Sequence, residues 1–125
     1  MEQKYLLDTN VALDFLGGKL PYNSKVLLSK IIDDQINISE INKMELLGFD
    51  HVEQELIAFV NFSKVYYIDD KVIDQTIVLR RKYKIKLPDA IIAATAIVND
   101  LTLISHNFKD FQKIIELQFI DSYNI

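Results

Sequence analysis

Short apolar runs that do not alternate with polar residues, each followed by a helix-like stretch, constrain this chain more than any other feature of its sequence. Tyr5-Leu6-Leu7 is the first run, Ile36-Asn37-Ile38 the second, Val65-Tyr66-Tyr67-Ile68 the third and Leu101 to Ser105 the fourth, with Leu117 to Ile120 a candidate fifth at an edge. A strand with one wet face alternates apolar and polar residues, whereas a strand apolar throughout is covered on both faces, the usual state of parallel sheets. Helical signals fill the gaps. Asp8-Thr9-Asn10 supply capping residues for a short helix to Leu16, stopped by Gly17-Gly18, where glycine provides the left-handed conformation that helix ends often need. Asn23 or Ser24 caps a helix to about Asp33 with Val26, Leu27, Ile31 and Ile32 on one side; another carries Met44 to Leu47, and a further one runs from about Val52 to Phe62. Asp69 or Asp70 caps a helix to about Tyr83. Pro88, whose fixed φ and missing donor suit a first turn, opens one to about Asn99. The alternation predicts an α/β fold: a short central parallel sheet of four to five strands flanked by helices. With 125 residues, enough for one hydrophobic core and not two, residues 1–125 are read as a single domain.

Half of the residues are hydrophobic and 26% are charged, the balance of a globular protein. No apolar run approaches the roughly 18 to 20 residues of a membrane span, and Met1-Glu2-Gln3-Lys4 lacks the apolar core of a signal peptide. A cytoplasmic protein with no membrane partner is expected. The absence of cysteine excludes disulfides and thiolate metal sites. A net charge of -4 and a pI near 5.1 have the wrong sign for holding nucleic acid by overall charge, so any such contact needs a local basic patch. Arg80, Arg81, Lys82, Lys84 and Lys86 place five of the 14 basic residues within seven positions. They read equally as a phosphate-binding run and as cations favoured by the negative end of a helix.

In open parallel sheets ligands bind beyond the carboxyl ends of the strands. Asp8 closes the first strand, the segment after the second leads to Glu45, and Ser105-His106-Asn107 follows the fourth, so these polar residues are expected at one end. Each also has a plain reading. Asp8 and Asp89 suit helix starts, and Glu45 suits a helix surface. Asp89, however, opens the stretch Ala90 to Val98, which is almost wholly small or apolar, so its helix is central and its carboxylate is held in place. Three carboxylates brought together without cations repel and raise one another's pKa. A hard divalent cation resolves the conflict, and oxygen donors with no cysteine and two scattered histidines favour Mg²⁺ or Mn²⁺ over zinc. His51 and His106 read as ordinary loop residues, and Tyr66 and Tyr67 as strand packing in preference to base stacking.

The ordered segments carry a resemblance. "YLLDTNVALDFL" resembles the opening of PIN domains, whose first strand ends in Asp followed by Thr or Ser. "INISEINKMELLGF" is similar to their second signature, a strand leading to a helix with the second acid. "LPDAIIAATAIVNDLTLISHNFKDF" is similar to their third and fourth joined: Asp opening an Ala-rich helix, then a strand and a Thr/Ser-x-Asn/Asp loop ending near Phe. Among PIN domains the chain most resembles the VapC-like toxins of toxin–antitoxin pairs. The resemblance implies an endoribonuclease in which Asp8, Glu45 and Asp89 are the metal-holding acids and Mg²⁺, with Mn²⁺ as a substitute, supports hydrolysis of RNA to 5′-phosphate and 3′-hydroxyl ends. Thr9 and Ser105 then stand beside the acids and substrate, with Arg80, Arg81, Lys84 and Lys86 as further substrate contacts. The fourth acidic position is Asn107 here, an amide able to act as an auxiliary ligand, with Asp110 as a carboxylate nearby. Asn42, where relatives often carry Thr, is a small departure. A cognate antitoxin protein is the implied partner. A homodimer is expected as well, because relatives of this size pair and Leu13, Phe15 and Leu16 exceed what one small core covers.

Two other functions fit parts of the pattern. A phosphatase of the haloacid dehalogenase type also has Asp after its first strand, yet needs a second Asp where this chain has Asn10. A PIN-like module that grips RNA or an antitoxin without cutting gains nothing from concentrated negative charge.

Overall fold

The computed structural model describes residues 3–125; Met1 and Glu2, counted into the domain from sequence, lie outside the described residues. The first expected strand is present with its borders unchanged, and the other four with theirs shifted by a residue or two. In chain order the elements are β1 (Tyr5–Leu7), α1 (Thr9–Leu16), α2 (Tyr22–Asp34), β2 (Asn37–Ser39), α3 (Glu40–Leu47), α4 (Gln54–Asn61), β3 (Lys64–Tyr66), α5 (Asp70–Lys82), α6 (Leu87–Val98), β4 (Thr102–Ser105), α7 (Phe108–Phe111) and β5 (Phe119–Asp121). The fold is α/β.

The strands do not form one continuous ladder of four or five. β1, β4 and β5 make a parallel three-stranded sheet with β4 central, while β2 and β3 form a separate parallel pair. β2 lies against β1, but a side chain bridges the join: Asn37 Nδ2 donates to the Tyr5 carbonyl at 2.9 Å. An amide placed there occupies an acceptor that a neighbouring strand would otherwise use.

The unbroken apolar character of β1 and β4 follows from the sheet's two covered faces. Leu6 pairs with Leu103 and both belong to the core formed with α5 and α6, including Val72, Leu79, Ala93 and Phe111. Leu7 pairs with Ile104, and these point the other way, into the core with Val11, Leu28, Leu46 and Phe59. Each of these side chains contributes roughly 1.5 to 3 kcal/mol by leaving water, so a one-residue slip of register exchanges both cores at once.

Several local expectations are corrected. α2 starts after Pro21, so Asn23 and Ser24 sit inside its first turn and do not cap it. Its inward stripe is Ser24, Leu28 and Ile31, spaced four and three apart, and Val26 is exposed. Gly18 takes the left-handed conformation at φ 69° after α1, whereas Gly17 stays right-handed at φ -82°. Tyr66 packs on the core, but Tyr67 lies past the end of β3 and is exposed. Leu13, Phe15 and Leu16 are half-buried against the second core. The larger exposed apolar side chains are elsewhere, among them Ile73, Ile77 and Val78 on α5 and Leu87 on α6. No helix among the described residues is long and apolar enough to cross a membrane.

Candidate active site

Asp8 occupies the turn from β1 into α1, and both readings of it hold. Its Oδ1 caps α1 by accepting from the Thr9 N–H at 2.9 Å. The same carboxylate also accepts from Asn42 Nδ2 at 3.1 Å and from the Ser105 hydroxyl at 2.7 Å, with Asn10 Nδ2 at 3.5 Å. Asp8 is only 6% exposed. Burial pushes its pKa up despite the hydrogen bonds from Ser105, Thr9 and Asn42, and the charge of Glu45 pushes in the same direction. A residue needed only as a helix cap has no reason to bear that penalty, because an exposed Asp or Ser caps as well.

Glu45 projects from α3 toward the same place. Thr9 joins it to Asp8: its hydroxyl donates to Glu45 Oε1 at 2.6 Å and accepts from Asn42 Nδ2 at 3.1 Å. Asn42 is fully buried and uses its whole amide. Its Oδ1 accepts from the Ser39 N–H and hydroxyl, Ser39 Oγ accepts from the Asn42 N–H to close a capping box at the start of α3, and Nδ2 serves Asp8 and Thr9. Sequence reasoning gave this residue little weight, although the Ser39-x-x-Asn42 spacing is a capping-box signal.

Asp89 lies in the first turn of α6 and is half-buried. Its pKa is raised first by burial, then by the charges of Asp8, Asp110 and Glu45, while Lys86 offsets part of the effect. The charges of Asp8, Glu45 and Asp110 therefore all reach Asp89. Asn107 holds this fourth carboxylate, donating from Nδ2 to Asp110 Oδ2 at 3.0 Å, while its own N–H donates to Ser105 Oγ at 3.0 Å. Among the described residues no three His, Cys, Asp or Glu side chains are grouped closely enough to form a ready-made metal site.

Two of the expected substrate contacts are placed otherwise. Ser105 is fully buried with its hydroxyl committed to Asp8, so it supports that carboxylate from behind and cannot reach a substrate. Arg80 turns a guanidinium nitrogen back to the Ile85 carbonyl at 2.8 Å, which closes the loop after α5. A cleft of about 350 Å³ is lined by Arg80, Lys84, Ile85, Lys86 and Asp110. Arg81 is exposed and is not part of that lining. His51 is exposed between α3 and α4.

The PIN domain family matches residues 5–117. Among solved structures, a toxin–antitoxin complex from Klebsiella pneumoniae contains a chain 31% identical, with 98% of this chain and 100% of that one covered at a TM-score of 0.76. VapBC-1 from nontypeable Haemophilus influenzae is 26% identical, covering 96% and 98% at a TM-score of 0.74. VapBC2 from Rickettsia felis, bound to a DNA fragment from its promoter, shares the fold at 24% identity, 94% and 98% coverage and a TM-score of 0.77. No match was found among curated protein sequences. With Asp8 after the first strand, an acid on the following α3, Asp89 opening the small-residue helix, and a family match over nearly the whole length, the chain belongs to the PIN domain family.

Proposed function

We propose that this protein is a divalent-metal-dependent endoribonuclease acting as the toxin of a toxin–antitoxin pair. The observation that carries the reading is the gathering of carboxylates: Thr9 bonds both Asp8 and Glu45, Ser105 joins Asp8 to the Asn107–Asp110 pair, and the charges of Asp8, Asp110 and Glu45 all act on Asp89. Concentrated carboxylates with little cationic compensation lower the stability of a fold unless a cation is drawn in. The donors suit Mg²⁺ or Mn²⁺: they are carboxylate oxygens, with no cysteine in the chain. Asp8, Asp89 and Glu45 would hold the ion, with Asn107 acting through Asp110. A bound divalent cation supplies charge neutralisation at a phosphodiester and a more acidic water.

The chain's own residues do the rest. Ser105, Asn42 and the Thr9 N–H fix the Asp8 carboxylate. Thr9 holds Glu45 Oε1, which leaves Oε2 to face the ion and orient a water beside it. Lys84 and Lys86 line the cleft beside Asp110 and meet phosphates flanking the one cleaved. RNA should be cut in Mg²⁺ or Mn²⁺ and left intact in EDTA. Binding without cutting in Mg²⁺ would favour the non-cleaving module, and cleavage in EDTA would refute the metal mechanism.

The basic run is tested separately. Changing Lys84 and Lys86 to Gln, with Arg80 kept because it holds the Ile85 carbonyl, should weaken RNA binding. The slope of log affinity against log salt should fall by about 0.7 per lysine on a single strand. Unchanged affinity and slope would make these residues a solvated helix end.

The Klebsiella pneumoniae and Haemophilus influenzae relatives occur with antitoxins, and a cognate antitoxin is the partner proposed here. The proposed homodimer draws support from a largely apolar cleft lined by Ile68, Ile73, Thr76, Ile77, Leu87 and Ile91, since exposed apolar surface of this kind marks interfaces. Light scattering should give twice the 14.5 kDa of one chain; the monomer mass at micromolar concentration contradicts pairing.

A further inference from the structure

His106 follows β4 at the carboxyl end of the sheet, its backbone tied to α1 and its ring held by Asp121 and Tyr123 of the C-terminal segment. Its backbone N–H donates to Asn10 Oδ1 at 3.1 Å, and Asn10 reaches on to Ser105 and Asp8, so His106 stands one side chain away from the acidic centre. Nδ1 lies 3.3 Å from Asp121 Oδ1 at the end of β5. The ring stacks on Tyr123 with centroids 3.9 Å apart and planes tilted by 35°. Tyr123 is fixed in turn: its N–H donates to Asp121 Oδ1 and its hydroxyl to Asp14 Oδ2, each at 3.0 Å. Even so, the His106 side chain remains 48% exposed.

An idle loop imidazole has no need of such bracing, and ordering a side chain before a ligand arrives lowers the entropy lost on binding. The neighbours decide what the ring receives. Asp121 and Asp14 beside the stack disfavour a phosphate, so the matching part of a nucleotide is its uncharged base. Resting on the nuclease reading above, the geometry points to His106, backed by Tyr123, as a substrate-contacting residue on which the base next to the scissile phosphate stacks. The same contact helps select where the strand is cut. Aromatic rings and His serve as such platforms wherever single-stranded RNA is held with its bases splayed.

The test uses full-length Asp89→Asn protein and two probes of equal length and charge, oligoadenylate and an abasic ribose-phosphate oligomer. His106→Ala should weaken oligoadenylate binding about five-fold or more and leave abasic binding unchanged. His106→Phe should restore it, because Phe keeps a π face without the imidazole nitrogens. Equal losses on both probes would make His106 a backbone contact, and no loss on either would make it a bystander; both outcomes overturn the proposal. If Asp89→Asn protein with His106 intact binds neither probe, the RNA reading itself fails and takes this proposal with it. If it binds both and His106→Ala matches it, only the stacking proposal falls.

Discussion

Replacing Asp89 with Asn should abolish RNA cleavage while leaving the fold at least as stable as before. The loss expected is on the order of 100- to 1000-fold, since charge stabilisation by a bound cation is worth several kcal/mol and each 1.36 kcal/mol is tenfold in rate. Stability moves the other way for a separate reason. In the metal-free protein the Asp89 carboxylate is raised above its ordinary value of 3.8 by burial and by the charges of Asp8, Asp110 and Glu45. A raised native pKa means that the folded state holds the proton more tightly than the unfolded chain, so stability falls as pH rises from that ordinary value through the native one. At low pH the protonated acid and the amide are near equivalents. As pH climbs through this window the variant should gain on the wild type, offset by about 0.3 to 1 kcal/mol of lost attraction between a carboxylate and the start of α6. Thermal melts of both proteins in metal-free buffer from acid to neutral pH provide the check. A variant clearly less stable than wild type at pH 7 would show Asp89 to be a structural cap.

Asn42→Leu should produce the largest loss of stability among single changes near the site. The substitution keeps the volume and removes an amide whose donors and acceptor are all used, leaving the Ser39 N–H and the Asp8 carboxylate short of partners in a dry environment. Each buried polar group left unsatisfied costs about 1 to 3 kcal/mol, which suggests roughly 3 kcal/mol and about 10 °C in Tm for a domain of this size. Cleavage should fall as well, because Asp8 and Thr9 lose the group that orients them both. Asn61→Leu, at the exposed end of α4, serves as the control. A shift below about 0.5 kcal/mol for Asn42→Leu would mean that the network around Ser39 re-forms without it.

What could be seen in the sequence depended on how local the physics was. Leu6-Leu7 and Leu103-Ile104 announced a sheet covered on both faces because each strand carries that information in its own residues. Asp8 and Asp89 could be named as candidates because one follows β1 and the other lies in the first turn of α6, and Glu45 because it sits within a helix of legible pattern. α7 could not, since four residues are too few to show a period. The split of the sheet falls where the Asn37 side chain crosses from β2 to the Tyr5 carbonyl of β1, a contact between positions 32 apart. The roles of Asn42, Ser105 and Arg80 were hidden for the same reason: a hydrogen bond spanning 34 or 97 positions, or a guanidinium turned back on its own loop, is set by packing. Their residue types alone do not specify it.

The central claim is that Asp8, Glu45 and Asp89 together hold one divalent cation. Titrating metal-free protein with Mg²⁺ while following its melting temperature tests this most directly, because a ligand that binds only the folded state stabilises it by about 2.7 kcal/mol at one hundred times its Kd. The wild type should melt progressively higher as Mg²⁺ is added, by roughly 10 °C near that concentration, and Asp89→Asn should barely respond. A wild-type melt indifferent to Mg²⁺ and Mn²⁺, or an equal rise in the variant, would contradict the assignment of the site.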